Sequence, residues 1–336
     1  MMPFQAPLRD SESLATPEAF RADVMQQCQP RLLPGAVRDW PLLAEGGESV
    51  LAQLRRHDSG RTAEMFVGSA EIGQRYYYDD DLTQFNFARE TVALTEALDR
   101  MEASAGVEGA DTLYLGSLPA ENHFPGMVSL VPTPFVPSTV LPRFWIGHGS
   151  QVACHYDTQD NVACVAMGRR RFTLYPPEAI ADLYVGPIDF TMAGQPVGLA
   201  VDSARGDPRY PRFEAIRGRA LVFELEPGDA LYVPKLWWHK VEALDSLNVL
   251  VNFWWDGFSP AADPPYAALL LSMIAIAERP AAERAAWRAF FDHYVFRPEG
   301  HPLAFLPEEK RGLLGSFADG AYQRIRMAAM RMLRGQ

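Results

Sequence analysis

Cysteine is scarce in this 336-residue chain: there are only three, Cys28, Cys154 and Cys164. They are odd in number and without C-x-x-C spacing, which excludes a disulfide framework or a structural zinc cluster. Cys154 reads as a plain buried thiol in an apolar strand. Positive charge is also short, with 31 Lys and Arg against 42 Asp and Glu, a net charge of −11. That balance argues against unspecific nucleic-acid binding, which needs a basic surface, although it leaves a specific RNA or protein substrate open. No apolar run reaches membrane-spanning length, and Met-Met-Pro-Phe-Gln-Ala-Pro at the start lacks a basic-then-apolar leader pattern. The expected compartment is the cytoplasm. No internal repeat or low-complexity tract is present.

What is there is a set of metal-ligand residue types. His155-Tyr-Asp157 is followed much later by His239 in Pro234-Lys-Leu-Trp-Trp-His239. Two imidazoles and one carboxylate form a facial triad that holds ferrous iron and leaves the opposite positions open, although the same donors also suit zinc or manganese. Residues two apart on a strand share a face, so His155 and Asp157 can close on one metal if a later antiparallel strand brings His239 alongside. Alone, H-x-D is a weak motif.

Three further segments add weight. Asn161-Val-Ala-Cys-Val-Ala-Met-Gly168 and Arg169-Arg-Arg-Phe-Thr-Leu-Tyr175 read as two strands joined by a turn at Gly168. The period of two puts Arg170 on the face of Phe172 and Leu174, looking inward, where a guanidinium needs an anion: a ligand carboxylate or a structural Asp or Glu. Glu226-Pro-Gly228-Asp229 makes a turn, and Ala-Leu-Tyr-Val-Pro234 a strand that delivers His239 just beyond its end. In Ser246-Leu-Asn-Val-Leu-Val-Asn252-Phe-Trp-Trp255, Asn252 shares a face with Leu250 and Trp254. It is either structural glue or a ligand contact, and Tyr114 on an earlier strand poses the same question.

These motifs, with Leu33-Pro-Gly-Ala-Val-Arg-Asp-Trp40-Pro near the start, resemble over residues 17–258 the JmjC/cupin-like Fe(II)- and 2-oxoglutarate-dependent oxygenases. The similarity is strongest to the branch of the asparaginyl hydroxylase that inhibits hypoxia-inducible factor. The resemblance implies that His155, Asp157 and His239 hold iron. It implies that Arg170, where the family commonly has Lys, binds the distal carboxylate of 2-oxoglutarate with Tyr114. Asn161 and Asn252 would line the cosubstrate site, with Trp254 shielding it. Two departures stand out: Val152 replaces the family's hydroxylated residue, removing one cosubstrate hydrogen bond, and Arg replaces Lys, which changes the donor geometry.

The expected fold is mainly β with flanking helices: a double-stranded β-helix, or jelly-roll/cupin-like JmjC barrel. Residues 1–110 would be a mixed region packing on the barrel, with short helices at 17–27 and 48–56, 111–258 the barrel, and 259–336 a C-terminal helical region. Tyr76-Tyr-Tyr-Asp-Asp-Asp81 and Phe85-Asn-Phe87 would either reach the barrel mouth or form a solvated loop on aromatic packing. An irregular insertion covers about 184–217. Five tryptophans, Trp145, Trp237, Trp238, Trp254 and Trp255, suggest a narrow pocket, with Trp238 alternating into the core. Beyond Pro260, Pro265–Ala277 is apolar nearly all round, and Ala281–Tyr294 and Ala318–Leu333 are amphipathic. The resemblance implies that these helices form a homodimer, docking on the chain's own barrel being the alternative. The expected function is hydroxylation of a protein or peptide side chain, with a small-molecule substrate also open. The alternatives are a noncatalytic metal- and acid-binding cupin and a non-oxidative metal-dependent cupin enzyme.

Overall fold

The computed structural model describes residues 7–8, 12–44, 46–79, 81–192, 194–258, 263–317 and 320–335. Residues 1–6, Asp80, Pro260 and Ala318, which enter the readings above, lie outside these. Among the described residues the strands are β1 Arg31–Leu33, β2 Thr62–Gly68, β3 Arg75–Tyr76, β4 Ala88–Ala93, β5 Thr112–Pro119, β6 Arg143–Gly147 and β7 Gln151–His155. They continue with β8 Asp160–Met167, β9 Arg170–Tyr175, β10 Leu221–Leu225, β11 Ala230–Val233, β12 Trp238–Ala243 and β13 Asn248–Trp255.

Two sheets face each other. One has the order β1-β11-β8-β13-β6-β5-β2-β4 and the other β10-β9-β12-β7-β3. The fold is the mainly β, cupin-like jelly roll that the motifs imply. β8 is buried almost throughout because β11 and β13 flank it and both its faces are covered. Phe172, Leu174, Phe223 and Leu225 from one sheet pack against Ala163, Val165, Leu231 and Leu250 from the other.

The two turns read from glycine do more than reverse the chain. Gly168, at φ +71°, passes it from β8 in the larger sheet to β9 in the smaller. Glu226–Asp229 passes it back from β10 to β11, so neither turn closes a hairpin: β9 pairs with β10 and β8 with β11. Asp229 fixes the return turn, its carboxylate accepting from the backbone N–H of Glu226 and, at 2.7 Å, of Gly35.

The first 110 residues contribute β1, β2, β3 and β4 directly to the sheets, so Met1–Gly257 is one compact unit. Its helices have legible ends. Pro17–Asp23 starts at Thr16, whose hydroxyl accepts from Ala19 N–H, and Val50–Arg56 starts likewise at Ser49. Leu94–Ser104 buries Leu94, Ala97, Leu98 and Met101, one stripe of a 3.6-residue period.

Phe258–Gln336 is a second unit. It carries helices Pro265–Ile276, Ala281–Phe291 and Ala321–Leu333, with a wide turn at Asp292–Phe296 ending the second. Asp263 ties it internally, accepting from Tyr322 Oη at 2.6 Å and from Arg326 at 2.9 Å. No helix among the described residues is long and apolar enough to cross a membrane.

Gly168→Ala tests the crossing turn. A Cβ there would meet Asn248 Oδ1 and, at 2.7 Å, the carbonyl oxygen of Leu247, in a backbone region that side chains avoid. The substitution should cost about 1–3 kcal/mol in urea unfolding, read as a lower midpoint at unchanged slope.

Candidate metal centre

β7 and β12 run antiparallel with His155 directly opposite His239. Cross-strand partners share a face, so both imidazoles enter the same cavity, their ring centroids 4.4 Å apart. Each ring is oriented by its own strand. His155 Nδ1 lies 2.8 Å from the carbonyl oxygen of Ala153, and His239 Nδ1 lies 2.9 Å from that of Trp237. With Nδ1–H donating to those carbonyls, each Nε2 keeps its lone pair for a metal.

Asp157 follows two residues past His155. Its backbone carbonyl accepts from Leu236 N–H at 2.8 Å, which joins the loop after β7 to the turn before β12. One donor atom each of His155, Asp157 and His239 falls within 4.8 Å of the others. Burial and the neighbouring His155 pull the His239 pKa down to about 4, opposed by Asp157, so this imidazole is neutral near pH 7. Neutral imidazoles and an ionised carboxylate are the forms that bind a divalent cation.

The cavity extends inward from this trio between the sheets. All eight residues singled out in the sequence line it: His155, Asp157 and His239, with Tyr114, Asn161, Arg170, Asn252 and Trp254. Arg170 is 2% exposed, and its guanidinium donates to the Tyr114 hydroxyl. Among the described residues no carboxylate pairs with it, and its Nε has no partner. Burial lowers the Arg170 pKa and pushes that of Tyr114 up to about 12, each resisting the other's shift. The structural ion pair open at Arg170 is therefore not what this side chain makes.

Asn252 does both things asked of it. Its Oδ1 accepts from Trp145 Nε1, while the residue lines the cavity. Four buried polar atoms that find no hydrogen-bond partner gather here: Asp157 Oδ2, Asn161 Oδ1, Arg170 Nε and Trp254 Nε1. Asp157 Oδ2 is 3.7 Å from His239 Nε2, too far for a hydrogen bond. Orphaned groups cost about 1–3 kcal/mol each. Their concentration in one cavity, around the His155, Asp157 and His239 donors, fits a divalent metal with a small polar ligand.

Val152 also lines the wall and offers no hydrogen bond. Of the five tryptophans, only Trp145 and Trp254 line the cavity. Trp237 packs in the core and donates to the carbonyl of Cys28, while Trp238 stacks edge-on against Tyr156. The tryptophans thus narrow the cavity less than the sequence suggests. Cys154 is fully buried, and burial raises its thiol pKa, which makes it inert.

The irregular insertion carries cavity residues that the sequence reading missed: Met192, Gln195 and Val197. Val197 bridges to His155, and Gly198 N–H donates to the carbonyl of Cys154 at 2.8 Å, so this segment runs along the edge of β7. The 76–87 segment packs over it. Phe85 stacks on Phe190 at 4.7 Å, and Tyr78 Oη donates to the Phe190 carbonyl, while Tyr76 itself lines the cavity. Its described residues thus show something of both arrangements expected: Tyr76 reaches the cavity, and Tyr78, Phe85 and Phe87 pack on aromatic rings.

The cupin-like domain profile matches residues 17–260. The chain is 27% identical over 260 residues to the Jumonji C domain-containing protein 5 of Drosophila melanogaster, covering 74% of this chain and 59% of that protein. It is 34% identical over 115 residues to the lysine-specific demethylase JMJ31 of Arabidopsis thaliana, covering 34% of this chain and 20% of that one. To the HSPB1-associated protein 1 of Rattus norvegicus it is 35% identical over 113 residues, 33% of this chain and 23% of the other. The matches span less than two thirds of each relative.

A structural ion pair at Arg170 and a ligand-binding cation make opposite predictions for stability. Arg170→Met combined with Tyr114→Phe removes an uncompensated charge and its hydroxyl partner together. In ligand-free protein it should melt at or above the wild-type temperature, whereas breaking a buried ion pair would cost about 3–5 kcal/mol.

Proposed function

The chain belongs to the cupin-like domain family, and from that premise we propose that it is an Fe(II)- and 2-oxoglutarate-dependent oxygenase that hydroxylates a side chain of a protein or peptide. The observation that carries this reading is the buried, carboxylate-free guanidinium of Arg170 in the same cavity as the His155, Asp157 and His239 donors. A keto diacid has a carboxylate for each end: one for the metal and one for a planar cation.

The residues would divide the work as follows. His155, Asp157 and His239 would hold the metal on one face. Arg170 and Tyr114 would clamp the distal carboxylate, the guanidinium now finding its anion. The unpaired Asn161 Oδ1 and Trp254 Nε1 would meet the remaining polar atoms of the bound groups. The cavity is about 100 Å³, of the order of a few waters' volume, so only a small ligand fits. Held there, iron would supply activation of dioxygen, the oxidant, with one oxygen atom going into the C–H bond and the other into succinate as the keto acid loses carbon dioxide; the protein supplies position and access. Val152 and the Trp145 and Trp254 rings keep that wall apolar and limit water. Attack on an N-methyl carbon would give demethylation by the same chemistry; the Arabidopsis relative is named a lysine-specific demethylase.

A homodimer through the C-terminal helices is part of the proposal. In support, helix Pro265–Ile276 leaves Leu269, Leu271 and Ile274 exposed by 52%, 44% and 83%, more apolar surface than a solvated helix usually carries.

Anaerobic addition of Fe(II) and 2-oxoglutarate should give a visible metal-to-ligand charge-transfer band, and oxygen should then yield succinate. His155→Ala should lose both, and Arg170→Ala should weaken keto-acid binding by at least about tenfold, a loss of roughly 1.4 kcal/mol or more. A metal-loaded wild type with neither band nor succinate would sink the reading in favour of a non-oxidative or binding role. Sedimentation should find a dimer that Ile274→Glu converts to monomer; an unchanged mass would refute the interface.

A further inference from the structure

A second guanidinium lies beside the cavity wall, next to the lining residue Trp254. Arg143 begins β6, and its cross-strand partner in β13 is Asn252, which lines the cavity. Partners across a ladder point to the same side, and Trp145, two residues along, lines the cavity as well. β13 ends beside the start of β8, where Trp254 pairs with Asn161, four residues past Asp157. Arg143 therefore sits on the inner face at the rim nearest the metal ligands, as Arg170 sits deeper.

The side chain is fixed. Nε donates to Ser117 Oγ at 2.6 Å and Nη2 to the Ser117 carbonyl at 2.9 Å, and the guanidinium carbon lies 5.7 Å from the Trp254 ring centroid. Ser117 is held at φ +57° in a bulge between Leu115 and Leu118. Such strain in a non-glycine residue persists where the surroundings impose it. Two contacts to one serine and an aromatic face hold the fork and leave Nη1 without a partner among the described residues.

Charge is what remains unanswered. Arg75, Arg89 and Arg100 each meet a carboxylate. Half-buried Arg143 meets none among the described residues: Glu121 is the acid whose field it feels, and the two form no ion pair. A partly desolvated cation with a free donor edge beside a binding cavity is complementary to an anion.

We infer that Arg143 anchors an acidic side chain of the peptide substrate, an Asp or Glu flanking the residue presented to the metal. This rests on the peptide-oxygenase reading above. The net charge of −11 sharpens it, because without a local cation this protein should repel acidic peptides.

The test is fluorescence anisotropy of two labelled pools of short degenerate peptides, one carrying Asp and Glu and the other Asn and Gln at the matching positions. They are titrated with the full chain without added iron, keto acid or oxygen. The acidic pool should bind wild type at least about tenfold more tightly than the amide pool, and Arg143→Gln should reverse the order. Arg143→Lys, which keeps the charge, and Ser117→Gly, which removes one prop and the strain, should both keep the acidic preference; melting curves check that each variant folds. Equal affinities, no binding of either pool, or a preference that survives Arg143→Gln would overturn the inference. A wild type that makes succinate yet shows no acidic preference would sink this inference alone. Absence of succinate would sink the oxygenase reading and leave the binding result to stand or fall by itself.

Discussion

The register of β12 on β7 is the constraint on which the site depends. Because side chains alternate with a period of two, a slip of one residue would send either His155 or His239 to the opposite face and dissolve the donor set. The register is held by more than its own ladder. β9 fixes the other edge of β12 with an unbroken run of partners from Trp238↔Tyr175 to Ala243↔Arg170, and that same run sets Arg170 inward. One pairing thus determines both the metal donors and the buried cation. Leu236, at φ +68° in the turn before β12, donates its N–H to the Asp157 carbonyl, so the carboxylate is carried by the turn that delivers His239.

A protein interior normally answers a buried charge with its opposite. Here the answer is withheld twice, at Arg170 and in part at Arg143, and uncoordinated acceptors and donors at Asp157, Asn161 and Trp254 are withheld with them. Each lowers stability, and none is rescued by repacking, because the cavity walls are strands whose outer neighbours are already paired. Such local inconsistency is expected where a fold keeps geometry ready for a ligand. Some buried polar groups elsewhere are answered by the protein itself. His148, equally buried, accepts from Leu113 N–H and lies 2.8 Å from the Met101 carbonyl, so it needs no ligand.

Much of this was readable from the sequence because the relevant signals are periodic. Alternation along Arg170–Tyr175 placed Arg170 on the face of Phe172 and Leu174, and the same rule placed Asn252 with Trp254; Asp157, expected on the strand of His155, lies just past its end and is held by the Leu236 backbone bond instead. The turns at Gly168 and Pro227-Gly228-Asp229 were legible as turns. That they exchange sheets was not, because pairing partners lie far apart in sequence and a turn motif does not name them. The insertion supplying Met192, Gln195 and Val197 has no period at all; it is held along β7 by backbone bonds that any residue could make. Trp237 looked like a wall residue by proximity to His239, yet it packs in the core after the left-handed Leu236, while Trp238 is buried against Tyr156 on the side away from His239, as alternation indicates. Arg143 was overlooked because an arginine at a strand start reads as a solvated end until its partner Asn252 is known.

The distribution of charge carries the argument one step further. The surface is acidic overall, yet charges in water are screened beyond roughly 8 Å at physiological salt, whereas a cation between low-dielectric walls keeps its field. Arg170 within and Arg143 at the rim therefore dominate what an anion meets once it has entered, and Asp157, the one acid lining the cavity among the described residues, would be neutralised by the metal it binds. An acidic exterior with a cationic interior selects for ligands whose negative charge is localised and geometrically matched rather than for polyanions, which the outer surface turns away. That is the property the proposed keto-diacid site would require.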